Sequence, residues 1–228
     1  MEIQLSKRLS EVGRFVPKGA ILLDVGSDHA YLPLALLEQG HIERAIAGEV
    51  VEGPYQSAVK NVASSPLSDK IEVRLANGLA AFEPSDQVSA ITICGMGGRL
   101  IAEILEVGKD KLTTVERLIL QPNNREDDLR CWLQDNGFGI VSETILAENN
   151  KYYEIIVAEQ GHVRLSSHEL RFGPYLLKDK SAVFRTKWQR EWDKLAFALS
   201  SVPEGKSAER EVLMTKMEAI KEVISDVS

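Results

Sequence analysis

Four polar clusters, each following an apolar burst, carry most of the chemistry in the first half of the chain. The first reads Asp24-Val25-Gly26-Ser27-Asp28-His29-Ala30-Tyr31. An acidic residue, a spacer and a glycine leaving an apolar run make a nucleotide-cofactor turn, in which Gly26 admits a ligand to the backbone without a Cβ in the way. A dinucleotide fingerprint wants glycines where Asp28 and Tyr31 stand, and two carboxylates repel a pyrophosphate. S-adenosylmethionine carries a sulfonium and an ammonium, which the same carboxylates attract. Asp24, Gly26, Ser27 and His29 are therefore read as donor-binding.

Glu49 stands 23 residues after Gly26, where a carboxylate accepts both hydroxyls of a ribose. Asn77 suits an adenine edge, and Gly78 leaves room for its flat face. Cys94-Gly95-Met96-Gly97-Gly98 implies close backbone approach to the donor's methionine arm or to a target base, so Gly95 and Met96 join the donor set. The Asp/Asn-Pro-Pro-aromatic signature of exocyclic-amine methylation is missing there. Leu120-Gln121-Pro122-Asn123-Asn124 offers amides that read a base edge or cap the next helix. Arg8 or Lys7 is positioned to hold a carboxylate or a phosphate, or to stand as a solvated surface pair.

These clusters need elements to aim them. Apolar runs at Ala20–Val25, Arg44–Val50, Lys70–Leu75, Val88–Cys94 and Glu116–Gln121 alternate with helical patterns at Tyr31–Gln39, Pro54–Ser64, Gly98–Val107 and Arg125–Asn136. Such alternation predicts a parallel sheet covered on both faces. Gly139–Glu148 and Lys151–Gln160 are separated only by Asn149-Asn150, which predicts a hairpin with one antiparallel strand. Strand–helix units closed by a hairpin form the layout of class I methyltransferases: α/β, Rossmann-like. From residue 161 onward the pattern predicts two helices, Tyr175–Ser200 and Lys206–Val227, joined through Ser201–Gly205 and meeting along apolar seams. Phe184, Trp188, Trp192, Leu195 and Leu199 line one seam; Val212, Leu213, Met217, Ile220, Val223 and Ile224 line the other. The expected division is a catalytic domain at 1–160 and a helical hairpin at 161–228.

The chain has 228 residues and a formal charge of −7, which excludes a uniformly basic nucleic-acid-coating protein. Residues 161–228 nevertheless carry 12 basic against 10 acidic groups. Seven basic residues and five aromatics interleave within Arg171–Lys194, which suits a grip on a polyanion; a solvated face over a helical core is the competing reading. Lys187, Arg190 and Lys194 are the substrate-binding candidates on that stretch. Two distant cysteines make neither a disulfide framework nor a zinc site, and point to a reducing compartment. With no signal-like or membrane-length apolar run, a cytoplasmic protein without metal or obligate protein partner is expected.

The assembled motifs resemble the bacterial tRNA (adenine-N1)-methyltransferases of the TrmK family. The resemblance rests on Leu5-Ser6-Lys7-Arg8-Leu9, Asp24 through Pro33, Gly48-Glu49 with Gly53-Pro54, Gly95-Met96-Gly97-Gly98 and Leu118 through Asn123. It continues through Gly173-Pro174 and Ala182-Val183-Phe184 to Trp188. It implies S-adenosylmethionine as donor, adenine 22 of the tRNA D-arm as acceptor, and a C-terminal hairpin that helps hold tRNA. Asp28 is then the expected catalytic carboxylate, orienting the adenine and offsetting its developing positive charge; organising the donor loop is its alternative role. Tyr31, Gln121 and Asn123 are expected near the target base. The rival readings are a non-catalytic S-adenosylmethionine- or tRNA-binding protein on the same scaffold and a nicotinamide-dependent oxidoreductase.

Overall fold

The computed structural model describes residues 3–225; Met1, Glu2 and the expected helix end at Val227 lie outside the described residues. The chain runs α1 (Lys7–Phe15), β1 (Ile21–Val25), α2 (Tyr31–Glu38), β2 (Arg44–Glu49), α3 (Glu52–Ala63), β3 (Ile71–Leu75), β4 (Ala90–Met96), α4 (Gly98–Val107), β5 (Arg117–Pro122) and α5 (Glu126–Asp135). The hairpin β6 (Phe138–Glu148) and β7 (Lys151–Gln160) follows, then α6 (Ser167–Phe172), α7 (Leu176–Asp179), α8 (Ala182–Ser201) and α9 (Ser207–Ile224).

The seven strands form one sheet in the order β3-β2-β1-β4-β5-β7-β6. The first five pair parallel, and β7 lies antiparallel between β5 and β6. Asn149 (φ 50°) and Asn150 (φ 61°) both adopt left-handed backbone, the requirement of a two-residue turn whose twist matches its strands. Val12, Leu32, Leu36 and Val62 pack α1, α2 and α3 against one face. Ile101, Leu105, Leu129 and Leu133 seal α4 and α5 onto the other. The sheet is thus buried on both sides, so the polar residues at its strand ends are held by a rigid frame.

The helix expected over Tyr175–Ser200 is interrupted. Lys180 turns left-handed (φ 43°) and ends α7, and the Ser181 hydroxyl accepts from Phe184 N–H (3.3 Å) to start α8. The break lets Leu176 and Phe184 enter one small core with Phe172, Trp188, Ile220, Val223 and Ile145 of β6. Val212, expected on the α9 seam, is exposed.

The segment from α6 to α8 is fixed to the sheet by an ionic network whose centre is closed to solvent. Arg130 and Glu143 are fully buried, with Arg130 Nε on Glu143 (2.7 Å) and Nη2 on Glu154 (2.5 Å). Arg130 also donates to the Leu170 carbonyl (3.1 Å), and Glu143 accepts from Tyr175 N–H (2.9 Å). Lys187 of α8 reaches Glu154 (2.6 Å) and Glu126 (2.9 Å). Gly173 (φ 87°) is forced by this cluster, since a Cβ there would stand 2.6 Å from Glu143 Oε2 and 2.8 Å from Arg130 Nη2. Removing one partner of a buried pair strands the other charge, at a cost of about 3–5 kcal/mol. Arg130→Met is expected to lower unfolding stability by that amount in urea titration, whereas the exposed Lys194–Glu191 pair is worth at most about 1 kcal/mol to a Lys194→Met variant.

Candidate active site

The site forms at the carboxyl ends of β1, β2, β4 and β5, where open α/β sheets bind ligands. Asp24 ends inside the sheet; its carboxylate accepts from Ser27 Oγ and Thr92 Oγ1, both at 2.6 Å. Burial nevertheless pushes its carboxyl above the ordinary range, against those hydrogen bonds and the nearby Arg8 cation. Ser27, read as a donor ligand, gives its hydroxyl hydrogen to the Asp24 carboxylate.

After Gly26 (φ 67°), the residues Asp28, His29 and Ala30 all take left-handed backbone, at φ 41°, 70° and 59°. Three non-glycine residues in that region store about 1–2 kcal/mol each, so the turn persists only because its surroundings dictate it. Gly26 and Ser27 N–H both donate to the Gly48 carbonyl (2.8 and 3.3 Å). Asp28 N–H donates to Glu49 Oε1 (2.5 Å), and Asn61 donates to the His29 carbonyl (3.0 Å). The His29 and Tyr31 rings stack at 5.3 Å. In consequence the Asp28 side chain, 85 % exposed, stands over the strand ends with His29 Nε2 3.4 Å away. It caps no helix, because α2 starts at Ala30 without a side-chain cap.

Glu49 is buried, and desolvation raises its carboxyl above the usual range against the Asp28 N–H bond. Its second oxygen accepts from no donor among the described residues. A buried acceptor fixed at one oxygen and open at the other suits a ribose hydroxyl. Asn77 is exposed at the end of β3. A Cβ at Gly78 would lie 2.8 Å from Ile104, so its bare Cα seats α4. Gly26 likewise faces Met96, whose Cε is 2.4 Å from where a Cβ would stand. Met96 therefore lies across the acidic turn.

Gln121 does not present its amide to the cleft. It is fully buried, and its Oε1 accepts from Arg8 Nη1 (2.5 Å) and Gly95 N–H (3.1 Å). Its amide nitrogen donates to the Pro122 carbonyl (2.8 Å) and Asn123 Oδ1 (3.2 Å). A buried amide has to satisfy both ends internally, and here it ties Arg8 to the glycine turn. Asn123 is exposed and donates to the Gly95 carbonyl (2.6 Å). Arg8 lies beside the site because Glu148 of the hairpin accepts from Lys7 and Arg8 N–H (2.7 and 3.3 Å), an acid at the start of α1.

Beyond Asn123 and Asn124, a cleft of about 800 Å³ runs between α5, the β6–β7 turn and α8. The basic candidates on α8 differ in their use. Lys187 is only 14 % exposed, and its ammonium is held by Glu126 and Glu154. Those carboxylates overcome desolvation and raise it above its ordinary range. Arg190 lies over the Tyr152 ring at 5.1 Å, and Lys194 pairs with Glu191 (2.6 Å). The buried network and Arg171, which also lines the cleft, were not singled out from sequence. Glu154 within the apolar run of β7, and Arg130 between Leu129 and Leu133, were the available signals.

The family model described as TrmK, tRNA (adenine(22)-N(1))-methyltransferase, matches residues 22–222. The Bacillus subtilis tRNA (adenine(22)-N(1))-methyltransferase is 43 % identical over 235 aligned residues, covering 98 % of both chains. A Streptococcus pneumoniae protein solved in complex with S-adenosyl-L-methionine superposes with a TM-score of 0.92 at 65 % identity, over 97 % of this chain and all of that one. Mycoplasma capricolum TrmK, solved with S-adenosyl-homocysteine, gives 0.86 at 26 % identity, over 96 % of this chain and 97 % of that one.

The raised carboxyl of Glu49 fixes a sign. The folded state binds its proton at a pH where the unfolded chain has released it, so this group's contribution to stability falls as pH rises. Relative to Glu49→Gln, the wild type is expected to gain melting temperature as pH is lowered from neutral through the raised titration. A difference independent of pH would contradict the assignment.

Proposed function

Because the chain belongs to the TrmK family of tRNA (adenine(22)-N(1))-methyltransferases, we propose that it methylates N1 of adenine 22 in the D-arm of tRNA, with S-adenosylmethionine as donor. The observation that carries the reading is the family match over residues 22–222, set on an acidic left-handed turn at the carboxyl ends of the strands. When bound, S-adenosylmethionine supplies an electrophilic methyl group on a sulfonium. Glu49, with one oxygen already fixed by Asp28 N–H, accepts the ribose hydroxyls. Asp24 holds the turn through Ser27 and Thr92, and Gly95, Met96 and Arg8 flank the methionine arm. Asn77 takes the adenine edge.

Adenine N1 has an in-plane lone pair, so the chain need supply no strong base. Its contribution is alignment and charge. Asp28 accepts from the target's N6 amino group, orienting the ring and offsetting the positive charge that methylation places on it. Tyr31, stacked on His29, walls the target side, and Asn123 borders it. N1 is engaged in a paired base, so the adenine must be exposed or extruded first. Residues 1–160 form the catalytic unit and 161–228 the tRNA-contacting unit in this reading, with Arg190 and Lys194 facing RNA and Lys187 positioning α8. With tRNA as substrate, the cytoplasm is the proposed compartment; among the described residues no helix is long and apolar enough to cross a membrane and no cluster suits a metal ion. A binding protein without turnover is disfavoured by the exposed Asp28 carboxylate, which among the described residues has only His29 Nε2 within 4 Å as a cationic partner.

Asp28→Asn keeps a residue that tolerates left-handed backbone and removes the charge. It is expected to slow single-turnover methylation of an unmodified tRNA transcript by about 10²-fold or more, with donor affinity by calorimetry within about twofold of wild type. N1-methyladenosine formed at the wild-type rate by this variant would rule out the role, and no product from the wild type on any tRNA would rule out the reaction.

A further inference from the structure

The cleft beside the active site contains an arginine that faces no carboxylate among the described residues. Arg171 follows the first turn of α6, and its guanidinium lies 5.4 Å from the Phe172 ring and 5.6 Å from the Trp188 ring. It is half-buried, yet it makes no hydrogen bond or ion pair through its side chain among the described residues. Its Nε is shielded and without a partner, and so is the indole Nε1 of Trp188, a residue 7 % exposed. Both side chains line the 800 Å³ cleft. Those two nitrogens are closed off from solvent, so a ligand in the cleft meets Arg171 through its terminal Nη1 and Nη2, which are not shielded and have no partner among the described residues.

The charges facing the cleft from every element select the ligand. Lys187 is neutralised by Glu126 and Glu154, and Lys194 by Glu191. What is left uncompensated is Arg171, Arg190 and Lys151 against Asp127 alone. Arg171 and Arg190 each stack on an aromatic ring, which fixes the planar fork that binds phosphate oxygens bidentately. A volume of this size lies within the range of ligand-holding clefts, roughly 300–1,000 Å³. The rim runs through Asn124 and Asn123 to the Gly95 carbonyl, so a strand leaving the methylation site passes along it.

We propose that this cleft is a phosphodiester site for the tRNA strand flanking the target adenine, with Arg171 as its principal anion ligand and Arg190 and Lys151 at its edge. This rests on the methyltransferase reading and adds to it a residue that positions substrate without touching the reacting atoms. The stacked guanidinium explains why α6 is fixed so firmly. Arg130 anchors the carbonyl of Leu170, the residue before Arg171, and Gly173 is seated against Glu143.

Arg171 also packs on Phe172 and Trp188, so the informative variants are Arg171→Met, which keeps apolar bulk without charge, and Arg171→Lys, which keeps charge without the fork. Arg171→Met should melt with the wild type, bind S-adenosylmethionine unchanged, and raise the KM for tRNA about tenfold with kcat within about twofold. The dependence of log K for tRNA on log salt should flatten by about 0.7–0.9. Arg171→Lys should recover the salt slope but only part of the KM. A wild-type KM and salt slope in a folded Arg171→Met protein would overturn the proposal, leaving Arg171 a packing residue. So would a fall in kcat at constant KM. Inorganic phosphate that binds the wild type but not Arg171→Met, with tRNA binding equal in both, would make it a free-anion site and overturn it as well. Failure of the wild type to form N1-methyladenosine would count against the reaction, while the binding and salt arms would still decide the role of Arg171.

Discussion

A fully buried guanidinium is the constraint from which the arrangement of this chain follows. Arg130 leaves water entirely, and an ion of that size loses several kcal/mol of solvation that only close, well-aimed partners can offset. Glu143 and Glu154 come from the two strands of the terminal hairpin, the Leu170 carbonyl from α6, and Lys187 from α8 by way of Glu154. Because each group is desolvated, none can be displaced alone. Burial pushes the Glu154 carboxyl upward, but Lys187 and Arg130 outweigh it and hold it below its ordinary range. The network thus fixes α8, and with it the far wall of the cleft, relative to the strand ends.

The second constraint is backbone strain at the acidic turn. Asp28, His29 and Ala30 adopt a conformation that isolated residues avoid. The Gly48 carbonyl, the Glu49 carboxylate and Asn61 dictate it. Glu49 does two things with one carboxylate: it holds the Asp28 amide with one oxygen and leaves the other for a ligand. The exposed Asp28 side chain and the open oxygen of Glu49 are therefore set by the same hydrogen bond.

The fold was largely legible because continuous apolar runs alternating with helical patterns, and a two-residue Asn-Asn turn, leave few alternatives for a covered parallel sheet with a hairpin. Strand bounds departed from expectation by one or two residues, as at Ala90 and Pro122. The broken helix at Lys180 was not legible, since no proline or glycine marks it; Ser181 caps α8, a use for which serine is favoured, but a lone serine within an amphipathic run does not by itself mark a break. Among site residues, types and spacings marked Asp24, Glu49 and Asp28, yet sequence could not say which polar groups face inward. Gln121 and Lys187 have the chemistry of ligand-binding groups and are consumed by internal partners. Arg171 looked like one more cation on a basic stretch, and only packing shows that no counter-ion among the described residues faces it.

The two ends of the site have opposite electrostatic tasks, and the fold keeps them apart. A cationic donor is drawn to the carboxylates at β1 and β2, and a polyanion is drawn to the cations of the cleft past β5; merged, the fields would cancel. Gln121 provides the neutral partition. Its buried amide spans from Arg8 and Gly95 to Asn123, so the boundary between acidic turn and basic cleft is made of dipoles with both ends satisfied. A charge at that position would bias one neighbour against the other. A fully satisfied amide fixes the Gly95 turn without adding to either field, and it sets the edge between the acidic turn and the cleft past β5.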